Sequence, residues 1–275
     1  MRAYWTCGAG HGSDWARMKP EVPDMNDATC EMIPSFDGTR LAVHRIGEGR
    51  PVLLLHGLFS SAEMNWIKFG HAARLAEAGF AVMMPDLRAH GRSEAPHDAA
   101  AYPPDVLVRD LMALVDTLGL DDYDLAGFSL GARTSVAGVI AGLAPRRLAL
   151  GGMGLESLSN WARRTAFFVD AIDRFDSIQR GDPAWLSVQF MKTMKVDRVA
   201  ARLLLHAVQD VDSSGLDQVS MPTLVVCGAE DRDNGSPEAL AEALPDARLE
   251  TIPGTHMSSV TEAALGEAIT RFLKA

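Results

Sequence analysis

The order of apolar runs predicts an α/β protein: a doubly wound, mostly parallel sheet carrying an inserted helical cap. Three observations lead there. Short continuous apolar stretches, as in Pro51-Val52-Leu53-Leu54-Leu55, read as strands buried on both faces. Helix-like stretches separate them, and such alternation builds parallel sheets. Between 153 and 216 the alternation stops, leaving helix-like sequence alone.

Taken in order, residues 1–30 mix Gly, Pro, Asp and Met without a period and read as an N-terminal extension. From Ile33 a strand, a turn at Asp37-Gly38-Thr39 and a second run from Leu41 to Ile46 predict a β-hairpin. Buried strands are expected at Pro51–Leu55, Phe80–Met84, Tyr123–Ala126, Arg147–Leu150, Thr223–Cys227 and Arg248–Ile252. Helices are expected over 62–78, 105–118, 130–142, 236–244 and 261–274. The core therefore comprises 31–152 and 217–275. The segment 153–216, with Trp161, Phe167, Phe168, Trp185, Phe190, Met191 and Met194, is long enough to lay several helices over the sheet's C-terminal edge. Ligands of open α/β sheets bind at that edge.

Composition narrows the function classes. A net charge of −10 argues against nucleic acid as a partner. No run of 18 apolar residues is present, so no membrane span is expected. The opening Met1-Arg2-Ala3-Tyr4-Trp5 has no apolar core of a secretory leader. Cys7, Cys30 and Cys227 lack metal-ligand spacing and suit reduced thiols in a cytoplasmic setting, Cys227 as a packing residue within a strand. No metal or cofactor is implied, and oligomeric state is not encoded in any feature of the chain.

The chemistry concentrates at Gly127-Phe128-Ser129-Leu130-Gly131. A serine at a sharp strand-to-helix turn is exposed at the sheet edge, and the flanking glycines let strand and helix nearly touch. Amide groups at the following helix N-terminus can stabilise an oxyanion. Such a serine needs a base, and the base an orienting acid. Downstream, one strand ends in Gly228-Ala229-Glu230-Asp231 and a later one in Pro253-Gly254-Thr255-His256. Both turns lie on the same sheet edge as Ser129, so His256 could bridge Ser129 and Asp231. Asp233 and Glu230 compete for the acid's place. His11, His44, His71, His97 and His206 read as surface or core histidines, and His56 and His90 as loop residues bonded to backbone. Asp86 and Arg88, directly after a strand, suit loop-ordering bonds better than acid–base work.

These motifs together resemble the α/β-hydrolase fold family, in particular its capped serine esterases. The residues are His56-Gly57, Pro85-Asp86-Leu87-Arg88-Ala89-His90-Gly91-Arg92-Ser93, the Ser129 elbow, Gly228-Ala229-Glu230-Asp231 and Gly254-Thr255-His256. The resemblance covers about 33–275 and implies Ser129 as nucleophile, Asp231 as acid and His256 as base. It also implies an oxyanion hole from the N–H groups of Leu58 and Leu130. Haloalkane dehalogenases and most epoxide hydrolases of that fold carry a carboxylate at the elbow. Serine there implies acyl transfer, hence hydrolysis of a small apolar carboxylic ester through an acyl-enzyme, with no cofactor. Lactone hydrolysis uses the same triad. C–C bond hydrolases and perhydrolases often carry Gly-Gly where this chain has Gly131-Ala132. A ligand sensor of the same fold, with slow turnover, is the reading from another class.

Overall fold

A computed structural model describes residues 28–275. The stretch 1–27, which contains Cys7, His11 and most of the expected extension, lies outside the described residues. Strand β1 (Thr29–Pro34) starts inside the 1–30 stretch expected to be an extension, because Thr29 and Cys30 already pair with Arg45 and His44.

The hairpin of β1 and β2 (Arg40–Ile46) is antiparallel. It is followed by β3 (Arg50–Leu55), β4 (Phe80–Pro85), β5 (Asp124–Phe128), β6 (Leu148–Gly151), β7 (Thr223–Gly228) and β8 (Ala247–Ile252). One eight-stranded sheet results, in the order β1-β2-β4-β3-β5-β6-β7-β8. Strand β2 meets β4 antiparallel, and every pairing from β4 through β8 is parallel.

Both faces of the parallel part are covered. Along β3, Leu53 and Leu55 join one apolar cluster while Val52 and Leu54 join the other. This is the period-two split of a strand buried on both sides. On the first face lie α2 (Val106–Thr117), α3 (Leu130–Ile140) and α7 (Pro237–Ala243), through Leu111, Val136 and Leu240 among others. On the second lie α1 (His71–Glu77) and α8 (Ala263–Lys274), through Leu75, Leu265 and Ile269. Local chemistry starts α7: Ser236 accepts from Ala239 N, and Pro237 fills the first turn.

The single helix expected over 62–78 is two pieces. A π-helical turn spans Glu63–Ile67, and α1 begins only after Gly70, whose φ of 77° no continuing helix can hold. Between β6 and β7, the structure places α4 (Trp161–Asp173), α5 (Trp185–Thr193) and α6 (Arg198–Ala207), flanked by 3-10 turns at Leu155–Leu158 and Ser213–Gln218. Helix α4 is tied to α6 where the Trp161 indole N–H and the Thr165 hydroxyl both donate to the Leu205 carbonyl. Among the described residues no helix is long and apolar enough to cross a membrane.

Candidate active site

Strand β5 ends at Phe128, and the next residue, Ser129, has φ 52° and ψ −112° before α3 starts. That conformation is costly for a side-chain-bearing residue and is kept only where the surroundings fix it. They do so tightly. A Cβ on Gly127 would sit 2.5 Å from Ala132 N, and one on Gly131 2.6 Å from the Leu55 carbonyl carbon. Only glycine permits this approach of strand and helix. The turn lifts the Ser129 hydroxyl beyond the C-terminal end of β5.

The loops after β7 and β8 bring in two partners. His256 Nε2 lies 3.0 Å from Ser129 Oγ, and His256 Nδ1 lies 2.8 Å from an Asp231 carboxylate oxygen. With the carboxylate accepting from Nδ1–H, Nε2 is left to accept from the serine hydroxyl. Asp231 is 1% exposed and also accepts from Asp233 N at 3.0 Å. Burial alone would raise its carboxyl, but the hydrogen bond and charge of His256 outweigh this and hold it below the usual carboxylate range. The Phe128 ring stacks near His256, with centroids 5.2 Å apart, and limits how the imidazole can turn.

The competing acids stand elsewhere: Glu230 and Asp233 are exposed. Cys227 is buried below Asp231, and its thiol is pushed up to about 12 by burial, so it stays protonated. His206 is exposed on α6.

The N–H groups of Leu58 and Leu130 donate to no protein acceptor among the described residues, and both residues border the space beside Ser129. The loop carrying Leu58 is locked from several sides. Asn65, on the π-helical turn, accepts from Gly57 N at 3.1 Å. His56 Nε2 accepts from Leu87 N, and His90 Nε2 accepts from Phe59 N, both at 2.9 Å. The other ring nitrogens of His56 and His90 donate to the Gly57 and Arg88 carbonyls. Both histidines therefore order loops. Asp86 does the same, accepting from Ala62 N and Arg92 N, while Arg88 is clamped by Asp37 and Asp110.

Three further residues reach the site that sequence reasoning did not single out. Asn234, 5% exposed, donates 2.6 Å to the Gly152 carbonyl and approaches Ser129 Oγ at 3.5 Å. Arg133 sits one turn into α3, where its N–H donates to the Ser129 carbonyl. Arg164 comes from α4, one turn after Trp161. The only available signals were Asn234's place three residues after Asp231 and the burial phase of α4. Together with Leu58, Leu130, Met153 and Trp161 these side chains leave about 10 Å³ beside Ser129, room for a single water. Among the described residues no group of three or more His, Cys, Asp or Glu side chains is arranged to hold a metal ion.

The arrangement is thus a hydroxyl, an imidazole aimed at it, a buried carboxylate behind the imidazole and two free amides nearby. Comparison with known proteins agrees with the architecture. Residues 50–139 match the model of the alpha/beta hydrolase fold. An epoxide hydrolase of Caballeronia sordidicola is 34% identical over 40% of this chain and 34% of its own length. The dihydrolipoyllysine-residue acetyltransferase component of the acetoin cleaving system of Pseudomonas putida is 31% identical over 72% of this chain and 58% of its own. The chain thus spans between a third and three fifths of the length of these two relatives. Among solved structures, a malate-bound thermophilic esterase from Thermogutta terrifontis is 26% identical, covering 90% of this chain and 98% of the other with a TM-score of 0.67. Sheet order, the turn at Ser129 and these matches place the chain in the α/β-hydrolase fold family.

Proposed function

We propose that the protein is a serine hydrolase that cleaves carboxylic esters, cyclic esters included, through an acyl-enzyme. The observation that carries the reading is the unbroken chain from Ser129 Oγ to His256 to Asp231, at 3.0 and 2.8 Å. Ser129 is the nucleophile. His256 takes its proton as the hydroxyl attacks the ester carbonyl, and Asp231 holds the imidazole in the accepting tautomer and stabilises its charged form. The Leu58 and Leu130 N–H groups receive the oxyanion. His256 then returns the proton to the leaving alcohol. Water, activated by the same imidazole, releases the acid and restores Ser129.

A hydroxyl at the elbow favours this reading over epoxide opening by a carboxylate nucleophile, despite the epoxide hydrolase among the relatives. The insertion 153–216 acts as a cap. With room for one water beside Ser129, an ester enters only when the cap or its side chains move aside. Apolar walls from Leu58, Leu130, Met153 and Trp161 suit a short apolar chain next to the ester carbonyl.

The test is a chain-length series of p-nitrophenyl esters with simple lactones alongside. Multiple turnover that vanishes in Ser129→Ala is the expected result. Turnover that persists in Ser129→Ala rejects the nucleophile assignment, and single-turnover binding alone favours a sensor.

A further inference from the structure

Two arginines border the space beside Ser129, and among the described residues neither has a carboxylate within ion-pair distance. Arg133 is buried and Arg164 half-buried, and guanidinium groups withdrawn from water normally acquire a carboxylate partner, because an unanswered charge there is costly. Arg133 is answered by neutral groups. It donates to the Ser157, Leu158 and Gln209 carbonyls and lies 5.1 Å from the Trp161 ring centre. Its donors serve to hold the cap.

Arg164 is different. Its Nη1 donates to Asn234 Oδ1 at 2.6 Å and to the Asp233 carbonyl at 3.2 Å, but its Nε is buried with no acceptor. The Trp161 and Phe168 rings, each 6.0 Å away, face the guanidinium without supplying a hydrogen bond. Asp233 and Asp231 are the charges that oppose it, yet Asp231 is committed to His256 and Asp233 offers only its backbone carbonyl. Burial therefore lowers the Arg164 guanidinium from its usual range, with those aspartates opposing the drop only in part. Holding the Asp233–Asn234 loop uses Nη1 alone and leaves the orphaned Nε unexplained. The location is telling: Asn234 bonds Arg164 through its oxygen and approaches Ser129 Oγ through its nitrogen, so one amide separates guanidinium from nucleophile.

We propose that the substrate is an anionic ester, whose free carboxylate docks on Arg164 while its ester carbonyl lies at Ser129, with the apolar wall of Leu58, Leu130, Met153 and Trp161 along the short chain between. This deepens the acyl-hydrolase reading and rests on it. A carboxylate accepts from Nε–H and Nη2–H of one guanidinium side by side, the geometry that planar fork favours. The ligand thereby supplies the acceptor that the protein withholds.

The test compares charged and neutral esters matched in size: monomethyl glutarate against methyl 5-methylhexanoate, and acetoxyacetate against isobutyl acetate, followed by acid release. The two pairs place the carboxylate on the acyl and on the alcohol side. At least one charged ester is expected to exceed its neutral partner in kcat/KM by about 10- to 100-fold, the worth of a charge-assisted pair. Arg164→Met should erase that ratio, and Arg164→Lys should recover part of it. Equal rates for charged and neutral esters in the wild type, or a preference that survives Arg164→Met, overturn the proposal while leaving the esterase intact. If no ester shows Ser129-dependent turnover, the esterase reading fails. Calorimetric titration with glutarate then judges the anion site alone: binding lost in Arg164→Met sustains it, and absence of binding to the wild type removes it.

Discussion

Replacing Arg133 by Met should loosen the insertion 153–216 and leave the sheet firm. Arg133 belongs to α3 in the core, while the Ser157, Leu158 and Gln209 carbonyls it holds belong to both ends of the insertion. Orphaning the Ser157 and Gln209 carbonyls costs about 1–2 kcal/mol each, losing one of the two bonds to the Leu158 carbonyl, which keeps Val211 N, about 1 kcal/mol, and the lost contact with Trp161 about 1–2 kcal/mol. Against this, burial already pushes the guanidinium down to about 10. Relieving that burial returns about 3 kcal/mol, at ~1.4 kcal/mol per pH unit. A net loss of about 1–4 kcal/mol remains, equivalent to opening the insertion about 5- to 700-fold more often. Native-state hydrogen exchange read by mass spectrometry checks this peptide by peptide. Peptides from 155–212 should exchange faster by that factor, while those of β3 and β5 barely change. Less than threefold acceleration in the insertion, or equal acceleration in the sheet, would mean that Arg133 is not the clamp.

Three more outcomes follow from the same geometry. Asp231→Asn should lower kcat by about 10³- to 10⁴-fold with little change in KM, because an amide favours the tautomer in which Nε2 carries a proton and cannot accept one from Ser129. A loss under tenfold in steady-state assays would shift the orienting role to Asp233. Gly131→Ala drives a Cβ into the Leu55 and His56 carbonyls, so the thermal midpoint should fall by about 5–10 °C, from about 2–3 kcal/mol of overpacking; an unchanged midpoint in calorimetry would deny the close approach. Acid should destabilise the fold through His56 and His90. Burial, reinforced by the neighbouring His56, pushes His90 down to about 3, and burial lowers His56 as well. In the unfolded chain these imidazoles titrate near ~6.5, so below that pH the unfolded state holds more protons. Stability is complete above about pH 6.5 and falls toward pH 3, by up to about 1.4 kcal/mol per pH unit for each histidine. Urea midpoints between pH 8 and 4 should trace that fall, and His90→Gln should flatten it; an equal slope in the variant would remove His90 from the account.

The fold was legible because buried parallel strands announce themselves as unbroken apolar runs. Each of the six expected strands lies within about two residues of an observed one, from Arg50–Leu55 to Ala247–Ile252. The break at Gly70 was hidden, since apolar spacing on either side continues in helical phase. The serine elbow and the two later turns were legible for a different reason. They are backbone devices at strand ends, and sequence order alone puts them on one edge. Arg164, Arg133 and Asn234 were not legible. Their importance depends on which acceptors they lack or find across long chain separations, as with Arg133 and Gln209 or Arg164 and Asn234. No local pattern marks an arginine whose carboxylate is missing.

Every step of the proposed reaction starts from attack by Ser129 Oγ. A fluorophosphonate, from which an activated serine displaces fluoride and keeps the phosphonyl group, reports that attack without a substrate. Intact mass should show one adduct on the wild type, peptide mapping should place it on Ser129, and Ser129→Ala should take up none. An adduct on another residue, or undiminished labelling of Ser129→Ala, would show that Ser129 is not the nucleophile.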